Sequence, residues 1–237
     1  RSANLQTKHR LGLTATPTRE SDDEEEIFTL VGPPIGTDWG KLFDEGYVAE
    51  PEVEIRLVPW GTDDERTEYA ATSGHDRRQA AAGNSGKIDE IRYTLAGNPA
   101  AKALVFVEYL DDGEAISEAI DAPFISGEMP HAQRERLFGA FRRGEEETLV
   151  VSRVGDEGID LPDAELAIVA SGLGGSRRQG AQRAGRTMRP AGDARMVVLA
   201  TRGTTEEDFV RRQMRHLASK GIRVSEHEAE AVDPIEE

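Results

Sequence analysis

The run Thr148-Leu-Val-Val-Ser-Arg-Val-Gly-Asp-Glu-Gly-Ile-Asp-Leu-Pro162 leads to Leu166-Ala-Ile-Val-Ala170, the loop Ser171-Gly-Leu-Gly-Gly-Ser176 and then Arg177-Arg-Gln-Gly-Ala-Gln-Arg-Ala-Gly-Arg-Thr-Met-Arg-Pro190. The apolar runs at 148–152 and 166–170 are short, β-branched and bounded by turn residues. That is the pattern of strands covered on both faces of a parallel sheet. The Gly/Ser loop before an Arg-rich stretch predicts a strand-to-helix turn, with helix over 177–188. On a helix, residues three and four apart share a face, so Gln182, Arg186 and Arg189 align. Two guanidinium forks and an amide on one face suit a polyphosphate whose charge develops during transfer. Spacing alone also admits a solvated Arg face paired with this chain's many carboxylates.

Outward from that segment the alternation continues. Helix is predicted over 88–95, 112–120, 130–143 and 205–219, and strand over 53–60, 103–108, 123–125 and 195–200. Pro130 stands at a helix's first turn and Gly144 at its stop. Strands alternating with helices predict an α/β fold with a doubly wound parallel sheet. Gly83-Asn-Ser-Gly-Lys87 lacks the spacing of a phosphate loop and a strand before it, so it reads as a helix start. Residues 61–86 are polar and without a strong period, and residues 225–237 are acidic and weakly apolar, the composition of a disordered tail.

The bulk composition narrows the field. With 237 residues the chain holds one large or two small domains. It has no cysteine, hence no disulfide framework or thiolate metal site, and its 5 His have no metal-ligand spacing. No apolar run is long enough for a membrane helix, and Arg1-Ser-Ala-Asn-Leu-Gln6 is not a signal peptide. The net charge of -16 argues against a nucleic-acid protein, yet only 5 Lys stand against 24 Arg. Abundant carboxylates with scarce lysine resemble the proteins of salt-in halophiles, where high salt screens the repulsion. Net charge therefore excludes nothing, and local Arg placement decides.

The two segments in that order resemble motifs V and VI of superfamily 2 helicases. Asp156-Glu-Gly-Ile-Asp160 matches motif V and Gln182-Arg-Ala-Gly-Arg-Thr-Met-Arg189 matches motif VI. Thr14-Ala-Thr16, inside Arg10-Leu-Gly-Leu-Thr-Ala-Thr-Pro-Thr-Arg19, resembles motif III, which couples the nucleotide site to nucleic acid. Leu42-Phe-Asp-Glu-Gly-Tyr-Val-Ala49, followed by a strand, resembles the linker of the XPB-type branch of DNA-repair and DNA-opening translocases.

The resemblance implies a domain plan. Residues 1–30 would close a first RecA-like domain, and 31–60 would be a linker helix and strand. Residues 61–86 would be a reduced thumb-like insertion or a linker, 87–222 the second RecA-like domain, and 223–237 an acidic tail. It also implies that ATP sits between the two domains, with Mg²⁺ and the phosphate loop held mainly by the first, so that this chain alone would not hydrolyse ATP. Arg186 and Arg189 would act as arginine fingers assisted by Gln182, with Arg183 bracing the motif. Glu157, Gly158 and Asp160 would face the nucleotide, Asp160 at the ribose, although a cap or turn role suits Asp160 too. Thr14, Ala15 and Thr16 would couple the sites. DNA would cross the strand ends at Tyr109, Ser126, Gly127, Ser152 and Arg153, with core packing the other reading of Tyr109.

The implied protein is an ATP-dependent DNA helicase or translocase in DNA repair. Its partners would be DNA, ATP and the first RecA-like domain, it would hold no resident metal of its own and no membrane contact, and it would work in the cytoplasm. The alternatives are a non-catalytic RecA-like binding module, or another superfamily 2 enzyme such as a restriction-type translocase or an RNA helicase.

Overall fold

The structure, a computed structural model, describes residues 52–152, 162, 164–171, 195–218 and 223–229. Among the described residues seven parallel strands form one sheet: β1 (Glu52–Val58), β2 (Ala103–Phe106), β3 (Phe124–Ile125), β4 (Thr148–Val151), β5 (Leu166–Val169), β6 (Arg195–Thr201) and β7 (Arg223–Glu228), in the order β3-β4-β2-β5-β6-β1-β7. The helices are α1 (Asp63–Ala71), α2 (Gly74–Ala82), α3 (Gly86–Ala96), α4 (Leu110–Ile120), α5 (His131–Arg143) and α6 (Thr205–Ala218).

The sheet is covered on both faces, which is why β2, β4 and β5 and the interior of β6 read as unbroken apolar runs. On one side Phe138 and Phe141 of α5 and Val210 of α6 pack with Leu104, Phe106, Leu149, Val151 and Val198. On the other, Ile91 of α3 and Ile116 of α4 pack with Val105, Val150, Ile168 and Leu199. Full burial of one such side chain stabilises by about 1.5–3 kcal/mol. Gly144 ends α5 in the left-handed region at φ 75°, the stop its sequence predicts. Gly113 sits inside α4 because a Cβ there would lie 2.3 Å from the Phe124 ring.

The structure corrects the sequence reading at three places. The strand expected at 53–60 as part of a linker is an interior strand, paired with β6 on one side and β7 on the other. Apolar and charged residues alternate along it, yet neither face is wet. Glu54 and Arg56 are buried beneath α3, where ion pairs replace water. Residues 61–86, read as a reduced thumb-like insertion or a linker, hold the two helices α1 and α2. Thr62 caps α1 by accepting from Glu65 N while the Glu65 carboxylate accepts from Thr62 N. The anchors of this hairpin are single residues rather than a stripe, so no period shows in the sequence. Tyr69 is buried and its hydroxyl accepts from Thr205 N at 3.2 Å, and Thr201 Oγ1 donates to Ala81 O at 2.7 Å. The acidic tail expected from 223 begins instead with β7, ordered by the ladder that β1 offers and by Arg211, which grips Glu226.

Candidate functional site

Because every strand is parallel, all C-terminal ends lie on one edge, the edge at which open α/β sheets bind ligands. Tyr109 follows β2, Ser126 and Gly127 follow β3, and Ser152 follows β4. These three strands are neighbours, so four of the five residues expected to face DNA follow strand ends on one side of the edge. Backbone bonds lock the exits together: Ser152 N donates to Ile125 O at 3.0 Å and Val107 N to Val151 O at 3.0 Å. Ser152 is buried, Ser126 and Tyr109 are half-buried, and Gly127 is exposed. Tyr109 precedes the first turn of α4, and its ring meets that of His75 edge-on at 5.7 Å between centroids. Burial pushes its phenol above the usual range, with Asp112 adding to the rise and Arg78 opposing it.

Arg153, Glu157, Gly158, Asp160, Gln182, Arg186, Arg189, Thr14, Ala15 and Thr16 lie outside the described residues. Their points of departure are described. Residues 153–161 continue from Ser152 at the end of β4, and residues 172–194 from Ser171 just past the end of β5. Strands β4 and β5 flank β2, so both motif segments leave the same edge one strand apart.

The edge also holds a polar cluster that the sequence reading missed. Lys87, read there only as part of a helix start, is 1% exposed. Its Nζ donates to Ala170 O at 2.9 Å and to Glu206 Oε2 at 2.8 Å. Glu206 Oε2 also accepts from Thr201 N at 3.0 Å. Asn84 accepts at Oδ1 from Gly61 N (2.9 Å) and Gly86 N (3.0 Å), and donates from Nδ2 to Pro59 O (2.9 Å) and Thr201 Oγ1 (3.2 Å). Ser171 Oγ accepts from Glu108 N at 2.8 Å. Nearby, Asp112 has a carboxyl pushed up to about 6, first by burial and then by Glu206 and Asp111, against the pull of Lys87. Its Oδ2 has no hydrogen-bond partner among the described residues. The one sequence signal for the cluster was the lysine itself, in a chain that otherwise prefers arginine.

Among the described residues no group of three His, Asp or Glu is placed to hold a metal ion, and no helix is long and apolar enough to cross a membrane. The hydroxyls and backbone amides of this edge suit phosphate without a basic surface.

Residues 42–225 match the family described as the ERCC3/RAD25/XPB C-terminal helicase. The chain is 88% identical over 234 residues to a protein of Haloarcula marismortui named putative DNA 3'-5' helicase Rad25, covering 99% of this chain and 38% of that protein. It is 65% identical over 229 residues to the protein of the same name from Halobacterium salinarum, covering 97% of this chain and again 38% of the relative. The chain thus spans little more than a third of the length of these relatives. Their salt-loving sources agree with the acidic, lysine-poor composition. Among solved structures, the C-terminal domain of the DEAD-box protein Dbp5 superposes with a TM-score of 0.58 at 13% identity, over 76% of this chain and 91% of that one. At that identity the likeness is one of fold: the sheet is that of a second RecA-like helicase domain.

Proposed function

Because the chain belongs to the ERCC3/RAD25/XPB C-terminal helicase family, we propose that it is the C-terminal part of an ATP-dependent DNA helicase or translocase acting in DNA repair in the cytoplasm. One observation carries the reading. Both motif-bearing segments follow, in sequence, strands that end on a single sheet edge, β4 and β5, and Tyr109, Ser126, Gly127 and Ser152 follow the ends of β2, β3 and β4 on that edge. An edge of that kind can answer to nucleotide and to DNA at once. Neither response then needs a long transmission path.

In this reading a first RecA-like domain of the same protein binds most of the ATP and its Mg²⁺. The present chain supplies charge stabilisation when the two domains close. Arg186 and Arg189 donate to the oxygens of the transferred phosphoryl group, Gln182 helps to order them, and Asp160 with Glu157 and Gly158 faces the nucleoside. Guanidinium forks that meet charge only as it develops raise kcat rather than ground-state affinity. Ser126, Gly127, Ser152, Arg153 and Tyr109 hold one strand of DNA, mainly by its phosphates. Thr14, Ala15 and Thr16 couple the two sites.

The test is DNA-stimulated ATP turnover by the full-length protein, wild type against Arg186→Ala. The expected result is a fall in kcat of about 10³-fold or more, with a much smaller change in nucleotide affinity. Arg186→Lys should recover little, because an ammonium lacks the fork. A near-normal kcat in a folded Arg186→Ala protein returns the Arg face to a solvated surface. Stimulation by RNA in place of DNA would move the protein to another superfamily 2 class.

A further inference from the structure

Lys87 is a buried cation for which the reading above has no use. An ammonium at 1% exposure is costly unless it is paired and hydrogen-bonded. Both conditions hold, and the identity of its partners matters more than their number. One is the backbone carbonyl of Ala170, the first residue past β5; the other is Glu206 in the first turn of α6. The same Glu206 oxygen accepts the backbone amide of Thr201 at the end of β6. A single ammonium–carboxylate pair therefore ties together the exits of β5 and β6 and the first turns of α3 and α6.

Ser171, the next residue, is also 1% exposed, and its hydroxyl holds Glu108 N just past β2. Residue 172 then begins the stretch that ends with Gln182, Arg186 and Arg189. A lysine placed only for stability could pair with any carboxylate. This one spends a donor on the carbonyl of Ala170, next to Ser171 and just before the stretch that carries Arg186 and Arg189 in sequence. A guanidinium would not substitute, since three rotatable donors on a compact head reach a carbonyl and a carboxylate in a closed site where a planar fork does not.

We propose that Lys87 is a positioning residue: through Ala170 O and Glu206 it fixes the direction in which the chain leaves β5, and so the placement of Arg186 and Arg189 in the closed enzyme, without itself touching nucleotide. The inference rests on the finger reading above. A displacement of about 1 Å at a reacting centre costs up to about 10²-fold in rate even when the substitution lies far from the chemistry. A role confined to folding would lower the melting temperature and leave the turnover of folded molecules intact.

The experiment uses the full-length protein in high salt with DNA, comparing wild type, Lys87→Met, Arg186→Ala and the double variant in kcat, KM for ATP and thermal stability. Lys87→Met should lower kcat by about 10- to 100-fold while KM for ATP shifts less than about threefold. In the Arg186→Ala background the same change should cost little more, because the lysine acts through the fingers. An unchanged kcat in folded Lys87→Met, or a loss that multiplies fully with that of Arg186→Ala, overturns the proposal. If Lys87→Met does not fold, Glu206→Gln takes its place: it keeps an acceptor oxygen but not the charge, and a full kcat in that variant also overturns it. Should Arg186→Ala itself be silent, the finger reading fails on its own, before Lys87 is judged.

Discussion

Two buried polar networks sit about this sheet, and they are built on opposite plans. The first lies on the body of the sheet beneath α3. Arg56 Nε donates to Glu54 Oε1 at 2.7 Å, its Nη1 bonds Glu90 and also reaches Thr94 Oγ1 at 3.0 Å, and Arg195 Nη2 holds Glu54 Oε2 at 2.5 Å. The Tyr93 ring lies 5.4 Å from the Arg56 guanidinium carbon. Both carboxylates are paired by forks, and the loose donor is Arg195 Nε, on a side chain one-third exposed. The second network lies at the C-terminal edge. It uses a compact ammonium, ties backbone groups of several strands, and leaves one buried carboxylate oxygen, Asp112 Oδ2, without a partner among the described residues. Each network leaves one buried polar atom unpaired, a donor in the first and an acceptor in the second. The first joins β1, β6 and α3 on the body of the sheet, and the second stands at the edge where a ligand is expected.

The largest effect should come from breaking the first network. Arg56→Met leaves Glu90 buried without its cation and Glu54 with one partner instead of two. Removing one partner of a buried pair costs about 3–5 kcal/mol. Denaturant unfolding of the 237-residue chain should show that loss, while ATP turnover per folded full-length molecule stays unchanged. A large loss of turnover at intact fold would erase the division between the two networks.

The second prediction uses pH, because the networks titrate in opposite senses. Burial pushes the Glu54 carboxyl up, but the bonds to Arg56 and Arg195 outweigh it and hold the group below its usual range. Its contribution to stability is therefore present above the unfolded pKa and lost only as pH falls through the lowered folded value. Asp112 behaves the other way. Its carboxyl rises from 3.8 to about 6, so between those values the folded protein holds a proton that the unfolded chain has released. That contribution is complete below the unfolded value and disappears as pH rises through about 6. A shift of this size corresponds to about 3 kcal/mol. Asp112→Asn should then stabilise the protein by up to about 3 kcal/mol at pH 8 and by little at pH 4, measured by urea midpoints at constant salt. The same difference at both pH values would mean that Asp112 is not a buried, raised carboxyl.

These contrasts also explain what the sequence could and could not show. The parallel sheet was legible because β2, β4, β5 and β6 are short, mostly apolar runs buried on both faces, and such runs need no partner to be recognised. The edge was legible in outline, since Tyr109, Ser126, Gly127 and Ser152 are positions that follow strand ends by definition. The polar anchors were not. Lys87 meets Glu206 across 119 residues, and Asn84 meets Thr201 across 117. No local period encodes a single bond between distant loops. The interior place of β1 was hidden for a related reason: Glu54 and Arg56 look like a wet face until Arg195 and Glu90 are brought beside them. The tail misled because composition reports what a segment can bury, whereas β7 is held by the ladder to β1 and by Arg211.

The smallest effect tests the edge where DNA is proposed to cross. Tyr109 has two readings, a contact of the DNA strand and a packing residue, and its ring already packs against His75. It is half-buried, its ring meets His75 at 5.7 Å, and it stands between β2 and α4 at the strand ends. Stacking of a base on an aromatic ring contributes about 1–3 kcal/mol. Part of this ring's face is already taken, so the lower end applies: Tyr109→Ala in the full-length protein should weaken single-stranded DNA binding by about 1 kcal/mol, roughly fivefold. Tyr109→Phe should keep most of that affinity, since the π-face rather than the phenol does the stacking. The contrast with the first network is then complete, because Arg56→Met should leave DNA affinity alone once allowance is made for the unfolded fraction. If Tyr109→Ala lowers the melting temperature and leaves DNA affinity untouched, the ring belongs to the packing of α2 against α4, and the DNA track at this edge must run over Ser126, Gly127 and Ser152 without it.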